Sequence, residues 1–374
     1  MTPAVSTPDS PWYPPFAAAA PGGVFPSPEP TARPLVPPGQ LVEHWRAPFE
    51  EATQLIGSRT RVIASGPNGV RAWLPSSDSW VPLPFVGPHL SPDRSGSYVI
   101  GVEADGMPAL MSLDGSSSAA RIALHYSGAR DVQGLVRCGD VFVFGTSSRP
   151  QWHGERPFTL LEFVQLADPA DIDECGYVEG VEDLGAMMCD DVAAPLLAAG
   201  DATVFAGTDA GVTRFALDGS VLEFHPLPSR PLSLTAGPGE DWTAMLCGAH
   251  GPELWWSSPG AAPTVLALPV GGWPNGRPPL PAGDGLVFLT PPGEVLGCSR
   301  DGVVFRFRRV GGTQGLSTRD GRLLIEHEAG LWSCDALGEA QQVWTGASFT
   351  CTPVVAGTSV VVASPTEVIA LREG

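Results

Sequence analysis

The sequence predicts an all-β fold built from repeated four-stranded units, and three observations lead to this prediction. The 374-residue chain has 45 Gly and 40 Pro but only 16% charged residues, which is typical of short strands joined by tight turns, because Gly and Pro interrupt long helices. From residue 41 onward, β-rich runs occur in groups of four that recur about every 36 to 45 residues. One isolated strand-like run near the N-terminus can supply the fourth strand to a C-terminal group that has only three. Together these features predict one closed β-propeller.

The first 40 residues differ from the rest of the chain. They contain twelve prolines among Ala, Ser and Gly, and such a segment cannot bury enough apolar surface to offset the entropy of ordering. We therefore expect residues 1–40 to form an extended or disordered arm, and residues 41–374 to form the propeller domain. Trp12, Tyr13 and Phe16 are unusual in such an arm and could dock on the body or on a partner.

The clearest repeat covers residues 195–227, where a run rich in small residues is followed by an apolar run, a tight turn at Ala210-Gly211, an alternating run and a last strand. The same order occurs at residues 53–85 and 89–125. Further repeats begin near Val132, Leu232, Pro278 and Gly315. Period-two alternation bounded by Gly and Asp turns predicts four antiparallel strands in each repeat.

The chain ends supply the last unit together. The segment after residue 351 contains only three strand-like runs, and residues 41–46 provide the missing fourth. We expect residues 41–46 to pair with residues 368–371, because a closed ring leaves no open end of the array to aggregate. Counted this way the propeller has eight four-stranded blades, or seven if one of the weaker repeats is not a blade.

The amino-acid sequences of several repeats are similar to those of a known family. Residues 207–219 (GTDAGVTRFALDG) and 352–374 resemble the bacterial quinoprotein-like, or PQQ-like, propeller repeat, and residues 91–115 resemble WD-like repeats. This resemblance implies a propeller fold, and eight blades are common in that family. It implies no activity, since such folds host dehydrogenases, assembly factors and scaffolds. The adjacent cysteines typical of the quinone-dependent dehydrogenases are missing here, so no cofactor is expected.

Charge and cysteine content exclude several classes of function. The net charge is −19 and every cation is Arg, so phosphate backbones are repelled and lysine Schiff-base chemistry is ruled out. Seven scattered Cys without a C-x-x-C pair predict reduced thiols and not a disulfide framework or a zinc site. No apolar run approaches 18 residues and no signal segment is recognised, which predicts a cytoplasmic protein without a membrane span.

No catalytic constellation is recognised. The chain has no G-x-S-x-G elbow, and its seven His never form H-x-H or H-E-x-x-H. The predicted first strands, which would line a central channel, are poor in His and carboxylates. We therefore predict that the chain is not an enzyme. The alternative is a propeller enzyme, such as a lactonase-like hydrolase or a lyase, that uses the channel.

An acidic stretch offers a second alternative. Residues 162–191 carry ten acids and no base, which predicts a solvated loop or a docking surface for a basic partner. Within it, residues 171–182 match the spacing of a calcium loop, but Cys175 stands where an oxygen ligand belongs. A calcium-stabilised binding module is thus an alternative, although no metal ligand is predicted.

Two insertions predict a partner-binding face. Residues 148–157 lie between the second and third strands of one blade and carry Trp152 and His153. Residues 271–277 join two blades and carry Trp273, Asn275 and Arg277. In propellers these two kinds of connection share one rim, and Trp and Arg on rigidly held loops are typical of protein-binding surfaces. The sequence therefore predicts a non-enzymatic scaffold or regulatory subunit of a bacterial multi-protein system, either a monomer or part of a hetero-complex.

Overall fold

In a computed structural model of the protein, the residues that the structure describes form 32 strands. No helix of the described ranges is long and apolar enough to cross a membrane. The described residues are 41–57, 61–74, 77–86, 89–92, 98–113, 119–124, 130–148, 159–166, 173–189, 195–236, 240–248, 251–268, 280–282, 285–289, 294–299, 304–308, 315–317, 323–327, 329–334 and 340–374.

After β1 (Leu41–Pro48), the strands of the N-terminal half group into four sheets, numbered here in chain order. Sheet 1 contains β2 (Gln54–Gly57), β3 (Val62–Gly66), β4 (Gly69–Leu74) and β5 (Ser79–Leu83). Sheet 2 contains β6 (Ser91–Pro92), β7 (Tyr98–Val102), β8 (Pro108–Ser112) and β9 (Ala120–Arg121). Sheet 3 contains β10 (Arg130–Cys138), β11 (Val141–Ser148), β12 (Thr159–Leu166) and β13 (Val181–Cys189). Sheet 4 contains β14 (Leu196–Ala199), β15 (Val204–Gly207), β16 (Gly211–Phe215) and β17 (Val221–Pro226).

The C-terminal half continues the pattern. Sheet 5 contains β18 (Ser233–Ala236), β19 (Trp242–Gly248), β20 (Gly251–Ser257) and β21 (Thr264–Ala267). Sheet 6 contains β22 (Leu280–Ala282), β23 (Gly285–Leu289), β24 (Glu294–Ser299) and β25 (Val304–Arg308). Sheet 7 contains β26 (Gly315–Ser317), β27 (Leu323–His327), β28 (Gly330–Cys334) and β29 (Ala340–Thr345). Sheet 8 contains β30 (Val354–Ala356), β31 (Ser359–Ala363), β32 (Glu367–Glu373) and β1.

Each sheet is a four-stranded antiparallel meander, as the repeat pattern predicts. In sheets 1 to 7 the spatial order of the strands is the chain order. Sheet 4 reproduces the clearest repeat, with Leu196 opposite Gly207 and Val204 opposite Phe215. The turn between β15 and β16 falls at Ala210-Gly211, and Gly211 has the positive φ of 152°, a backbone conformation that side chains rarely adopt.

The two ends of the chain meet in sheet 8, as predicted. Strand β1 pairs antiparallel with β32, with Glu43 opposite Leu371 and Ala47 opposite Val368. Leu41 and Ala47 of β1 are buried, and the indole of Trp45 stacks on that of Trp73 in sheet 1 with ring centroids 5.1 Å apart. The N-terminal strand thus completes the sheet and contacts the next one.

The first strands of neighbouring sheets lie side by side. Contacts join β30 to β2, β2 to β6, β6 to β10, β10 to β14, β14 to β18, and β22 to β26. These strands approach closely: a Cβ added at Gly57 of β2 would overlap the carbonyl oxygen of Val355 in β30. First strands that contact each other in succession form the inner wall of a propeller.

The hydrophobic core lies between successive sheets. Strand β31 shows why residues 360–363 form an unbroken apolar run: Val361 and Ala363 pack toward sheet 1, whereas Val360 and Val362 pack toward sheet 7. Successive side chains of a strand point to opposite faces, so a strand that is covered on both faces has no polar position. Comparable clusters fill the spaces between sheets 1 and 2, 2 and 3, 3 and 4, and 4 and 5.

Candidate partner-binding surfaces

The predicted rim residues fall in two connections whose flanking strands the structure describes. Trp152 and His153 lie between β11 and β12, the second and third strands of sheet 3. Trp273, Asn275 and Arg277 lie in the connection between β21, the last strand of sheet 5, and β22, the first strand of sheet 6. All five lie outside the described residues, so their grouping on one face stays a prediction.

The strands that carry the Trp152 connection are long. Strands β10 to β13 have 8 or 9 residues each, whereas those of sheet 4 have 4 to 6. Near the connection, the Gln133 side chain donates to Ser147 Oγ at 2.7 Å, and Ser147 pairs with Thr159 across the base of the loop. The base of this insertion is therefore a well-paired hairpin.

The acidic stretch is not one loop, and here the structure corrects the sequence interpretation. Glu162 lies in β12 and is only 1% exposed, on the face of the strand that also presents Val164 to sheet 2. Glu182 and Asp183 lie in β13 and are exposed. Side chains along β12 point alternately to its two faces, and Glu162 falls on a buried face. The number of acids in the stretch does not reveal this position.

In the segment whose spacing resembles a calcium loop, the carboxylate of Asp173 accepts hydrogen bonds from backbone groups of the same segment. Asp173 Oδ1 accepts hydrogen bonds from the N–H groups of Cys175 and Tyr177, both at 2.8 Å, and Asp173 N–H donates to the Tyr177 carbonyl at 2.8 Å. This is an Asp-stabilised turn. Among residues 173–182 and the other described parts of the chain, no three His, Cys, Asp or Glu side chains are grouped to hold a metal ion.

A polar network between sheets 4 and 5 was not foreseen. The guanidinium of Arg214 lies 4.0 Å from Glu223 and 4.0 Å from Glu240. Glu240 accepts hydrogen bonds from the Ala202 N–H at 2.5 Å and from the Thr203 hydroxyl. These contacts tie the β14–β15 turn to the β18–β19 turn. The side chains of Arg214, Glu223 and Glu240 are largely buried. We therefore interpret these contacts as structural, and we call the contacts of Glu240 the clasp.

His225 extends this network and is a buried residue of β17. Its ring lies 5.3 Å from that of Trp242 in sheet 5, and its Nε2 atom lies 3.0 Å from a carboxylate oxygen of Glu223. His44, by contrast, lies on β1 and is exposed.

The outer strands expose apolar side chains that the sequence analysis did not single out. Val221, Leu222 and Phe224 of β17 are 52%, 50% and 48% exposed, and Met188 of β13 is 60% exposed. On sheet 5, Val265 of β21 is 46% exposed. Strand β17, predicted as the last strand of its repeat, is an edge strand with an irregular register, and residues on both of its faces reach the surface.

The four cysteines whose side chains the structure describes form no disulfide and lie in two environments. Cys138 and Cys351 are buried, whereas Cys175 and Cys247 are exposed. The Cys138 thiol contacts the carbonyl oxygen of Gly200 at 3.3 Å. Burial, with a smaller effect of Glu240 and Asp201, raises the pKa of Cys138 to about 11, so this thiol is protonated and inert at neutral pH.

Comparisons with known proteins agree on the fold and go no further. No protein-family model matches the chain, and no curated protein matches it; the quinoprotein-like assignment therefore stays a prediction. Among solved structures, the chain is similar to the computationally designed Ika8 protein, a propeller, with a TM-score of 0.54 and 13% identity over 90% of this chain and 100% of that one.

Two further solved structures are similar at lower scores. Virginiamycin B lyase from Staphylococcus aureus has a TM-score of 0.48 and 12% identity, covering 88% of this chain and 99% of that one. AztD from Citrobacter koseri has a TM-score of 0.48 and 12% identity, covering 79% of this chain and 87% of that one. With sheets that pack face to face and a shared sheet at the chain ends, the chain has a β-propeller fold.

Proposed function

We propose that this chain is an eight-bladed propeller that binds a partner protein and has no catalytic activity of its own. The blade count is supported by the eight four-stranded sheets found in the described part of the chain and by the contacts between their first strands. Each sheet corresponds to one predicted repeat. On this proposal each sheet is one blade, and sheet 8 is the blade that closes the ring.

The observation that carries the binding function is the chemistry of the inner strands. Strands β2, β14, β18 and β30 contain only Gln, Ser, Thr and apolar residues or Gly, whereas the first strand β10 carries Asp131 with Arg130 and Arg137. A hydrolase or lyase needs acids, bases or metal ligands that converge on its substrate, and these four strands offer none to a central channel. Binding through loops held by a rigid scaffold needs no such groups.

The proposed binding surface is the rim that carries Trp152, His153, Trp273, Asn275 and Arg277. The long strands of sheet 3 support this proposal, because they give the Trp152 connection a rigid base. Tryptophan and arginine are enriched among residues that dominate binding energy. We also propose that the protein is a cytoplasmic subunit of a multi-protein system; its location in the cytoplasm is supported by Cys138, Cys175 and Cys247, which form no disulfide.

The test is recovery of the partner with full-length tagged protein from native extract, followed by affinity measurement with the identified partner. Trp152→Ala combined with Trp273→Ala should weaken binding by about 30-fold or more, because two central tryptophans typically contribute about 1 to 2 kcal/mol each. Val42→Ala, an exposed residue on β1, is the control and should bind like the wild type. Unchanged affinity of the double variant would show that the rim is not the binding surface.

A further inference from the structure

Strand β17 exposes more apolar surface than its position in a sheet requires. Three of four successive residues, Val221, Leu222 and Phe224, are about half exposed, at 52%, 50% and 48%. The neighbouring strands β15 and β16 are almost entirely buried. A contiguous exposed apolar patch on a soluble protein marks an interaction site more often than a scattered single residue does.

The backbone of β17 also has a free edge. The strand is last in the order β14-β15-β16-β17, so among the described strands only β16 pairs with it. Leu222 forms a bulge, because Arg214 pairs with Glu223 and Phe215 pairs with Val221. An edge strand presents N–H and C=O groups to an incoming chain. The same strand therefore offers both hydrogen-bonding groups and apolar side chains.

Neighbouring sheets fix β17 in place and leave these side chains exposed. The carboxylate of Glu223 accepts a hydrogen bond from the N–H of Gly260, in the β20–β21 turn, at 3.2 Å. On the other side, a Cβ added at Gly185 of β13 would lie 2.6 Å from the carbonyl oxygen of Asp218, so the turn before β17 lies against sheet 3. An edge held on both sides needs little ordering when a partner binds.

The charges around β17 indicate what kind of chain it would accept. Glu182 and Asp183 on β13 and Asp218 in the turn before β17 are exposed. The nearest cation of the strand pair, Arg214, is only 16% exposed, and it lies beside Glu223 and Glu240. Exposed Met188 on β13 adds apolar surface to the acidic side. The complementary partner is an extended segment that alternates apolar and basic residues.

We propose that β17 accepts such a segment of a basic partner protein as a fifth strand of sheet 4. Main-chain hydrogen bonds to the free edge would supply affinity, and apolar side chains of the segment would cover Val221, Leu222 and Phe224. Its Arg or Lys side chains would face Glu182, Asp183 and Asp218. The inference does not depend on the proposed rim with Trp152 and Trp273.

The experiment titrates full-length protein with a synthetic ten-residue peptide that alternates Arg with Val or Phe, by calorimetry at low salt. We expect binding that weakens at high salt, and protection from hydrogen exchange of the amides of β17. Leu222→Lys with Phe224→Lys should weaken binding at least 10-fold, because it removes apolar cover and adds like charge. Val42→Lys with Val265→Lys changes two exposed apolar residues on other outer strands and should leave the affinity unchanged.

Two altered peptides separate strand addition from simple charge attraction. A peptide with Pro in place of every second apolar residue lacks the N–H groups that pair with an edge and should not bind. A peptide with Glu in place of Arg should not bind either. Equal binding of the Pro peptide, equal loss in the two double variants, or no binding of the basic peptide would each overturn the proposal.

A second copy of this chain is the competing occupant, and sedimentation velocity of the protein alone tests it. Concentration-dependent association that Leu222→Lys with Phe224→Lys abolishes would show that β17 pairs with another copy and would overturn the basic-partner proposal. A monomer at all concentrations supports it. Circular dichroism and the thermal midpoint of each variant would confirm that the fold is retained.

Discussion

Glu240 joins two turns that are 38 residues apart in the sequence, through the Ala202 N–H. It also accepts from the Thr203 hydroxyl, and it lies 4.0 Å from the guanidinium of Arg214. The residue adopts a left-handed backbone with φ of 65°, which an L-amino acid holds only when its surroundings fix it. The side chain is 16% exposed, so its hydrogen bonds lie away from bulk water.

Glu240→Ala should therefore lower the free energy of unfolding by about 1 to 3 kcal/mol, the usual cost of losing charged hydrogen bonds at a mostly buried site. The measurement is urea denaturation followed by tryptophan fluorescence. Glu51→Ala is the matched control, since Glu51 is also left-handed, with φ of 48°, but is exposed; its effect should stay below about 0.5 kcal/mol. Equal effects of the two changes would show that Glu240 is not a clasp.

His89 gives the fold a pH dependence. Burial lowers the pKa of His89 from its ordinary value of 6.5, and its Nδ1 atom is buried without a hydrogen-bond partner among the described groups. The imidazole is therefore neutral in the folded chain. As the pH falls through 6.5, the unfolded chain gains a proton that the folded chain resists, so unfolding becomes easier.

His89→Gln should reduce this loss of stability between pH 7.5 and pH 5.5, measured as the shift in the urea midpoint across that range. The wild type should lose more stability on acidification than the variant does. His44→Gln removes an exposed histidine from β1 and should keep the wild-type pH dependence. The interpretation fails if the two variants respond to pH alike.

At the scale of elements, the strand pattern and the shared sheet 8 were predictable because they follow from local signals. Runs with period-two alternation and Gly or Asp turns recur along the chain, and each predicted repeat corresponds to one sheet. Pairing of β1 with β32 followed from the need to close the array, and the register of Ala47 with Val368 confirms it. Closure involves the whole chain, but the sequence reveals it because the last repeat lacks one strand and the segment before the first repeat has one strand too many.

The surfaces were less predictable because they depend on which strand edges and turns come together. The clasp of Arg214 and Glu240 joins residues from different repeats, and no spacing rule links them. Phe224 is an aromatic residue in a strand, yet it is 48% exposed because β17 has no outer neighbour among the described strands. The rim residues, such as Trp152 and Trp273, lie in long connections outside the described residues, where periodicity gives no guidance.

Strand β1 is the element on which closure depends. Deleting residues 1–48 removes the partner of β32, uncovers Trp73 and leaves the edge of sheet 8 unpaired, so we expect loss of cooperative unfolding and aggregation. Deleting residues 1–40 retains β1 and should leave the denaturation midpoint near that of the full chain. Size-exclusion chromatography and urea denaturation of both truncations measure this. Similar behaviour of the two truncations would mean that β1 contributes little.

At the scale of the whole molecule, the fold is a β-propeller in which core clusters join successive sheets from sheet 7 through sheets 8 and 1 to sheet 5. The clusters between sheets 8 and 1 and between sheets 7 and 8 both include residues from the C-terminal strands, so sheet 8 closes the core as well as the backbone. The chain carries a net charge of −19, which favours basic partners and disfavours nucleic acids. Closure makes the scaffold rigid, and a rigid scaffold can present loops and edges for binding.

The most direct test of closure is a disulfide between the two ends of the chain. Val42 lies opposite Arg372 in the β1–β32 register, and directly opposed strand residues are close enough for a disulfide. The variant Val42→Cys with Arg372→Cys should oxidise to a single 42–372 cross-link, identified by peptide mass spectrometry, and its thermal midpoint should rise because the linked loop spans nearly the whole domain. Val42→Cys with Thr366→Cys, about six residues out of register, should not cross-link. Free thiols at positions 42 and 372 in oxidised, folded protein, or equal cross-linking of the two pairs, would contradict the closed ring.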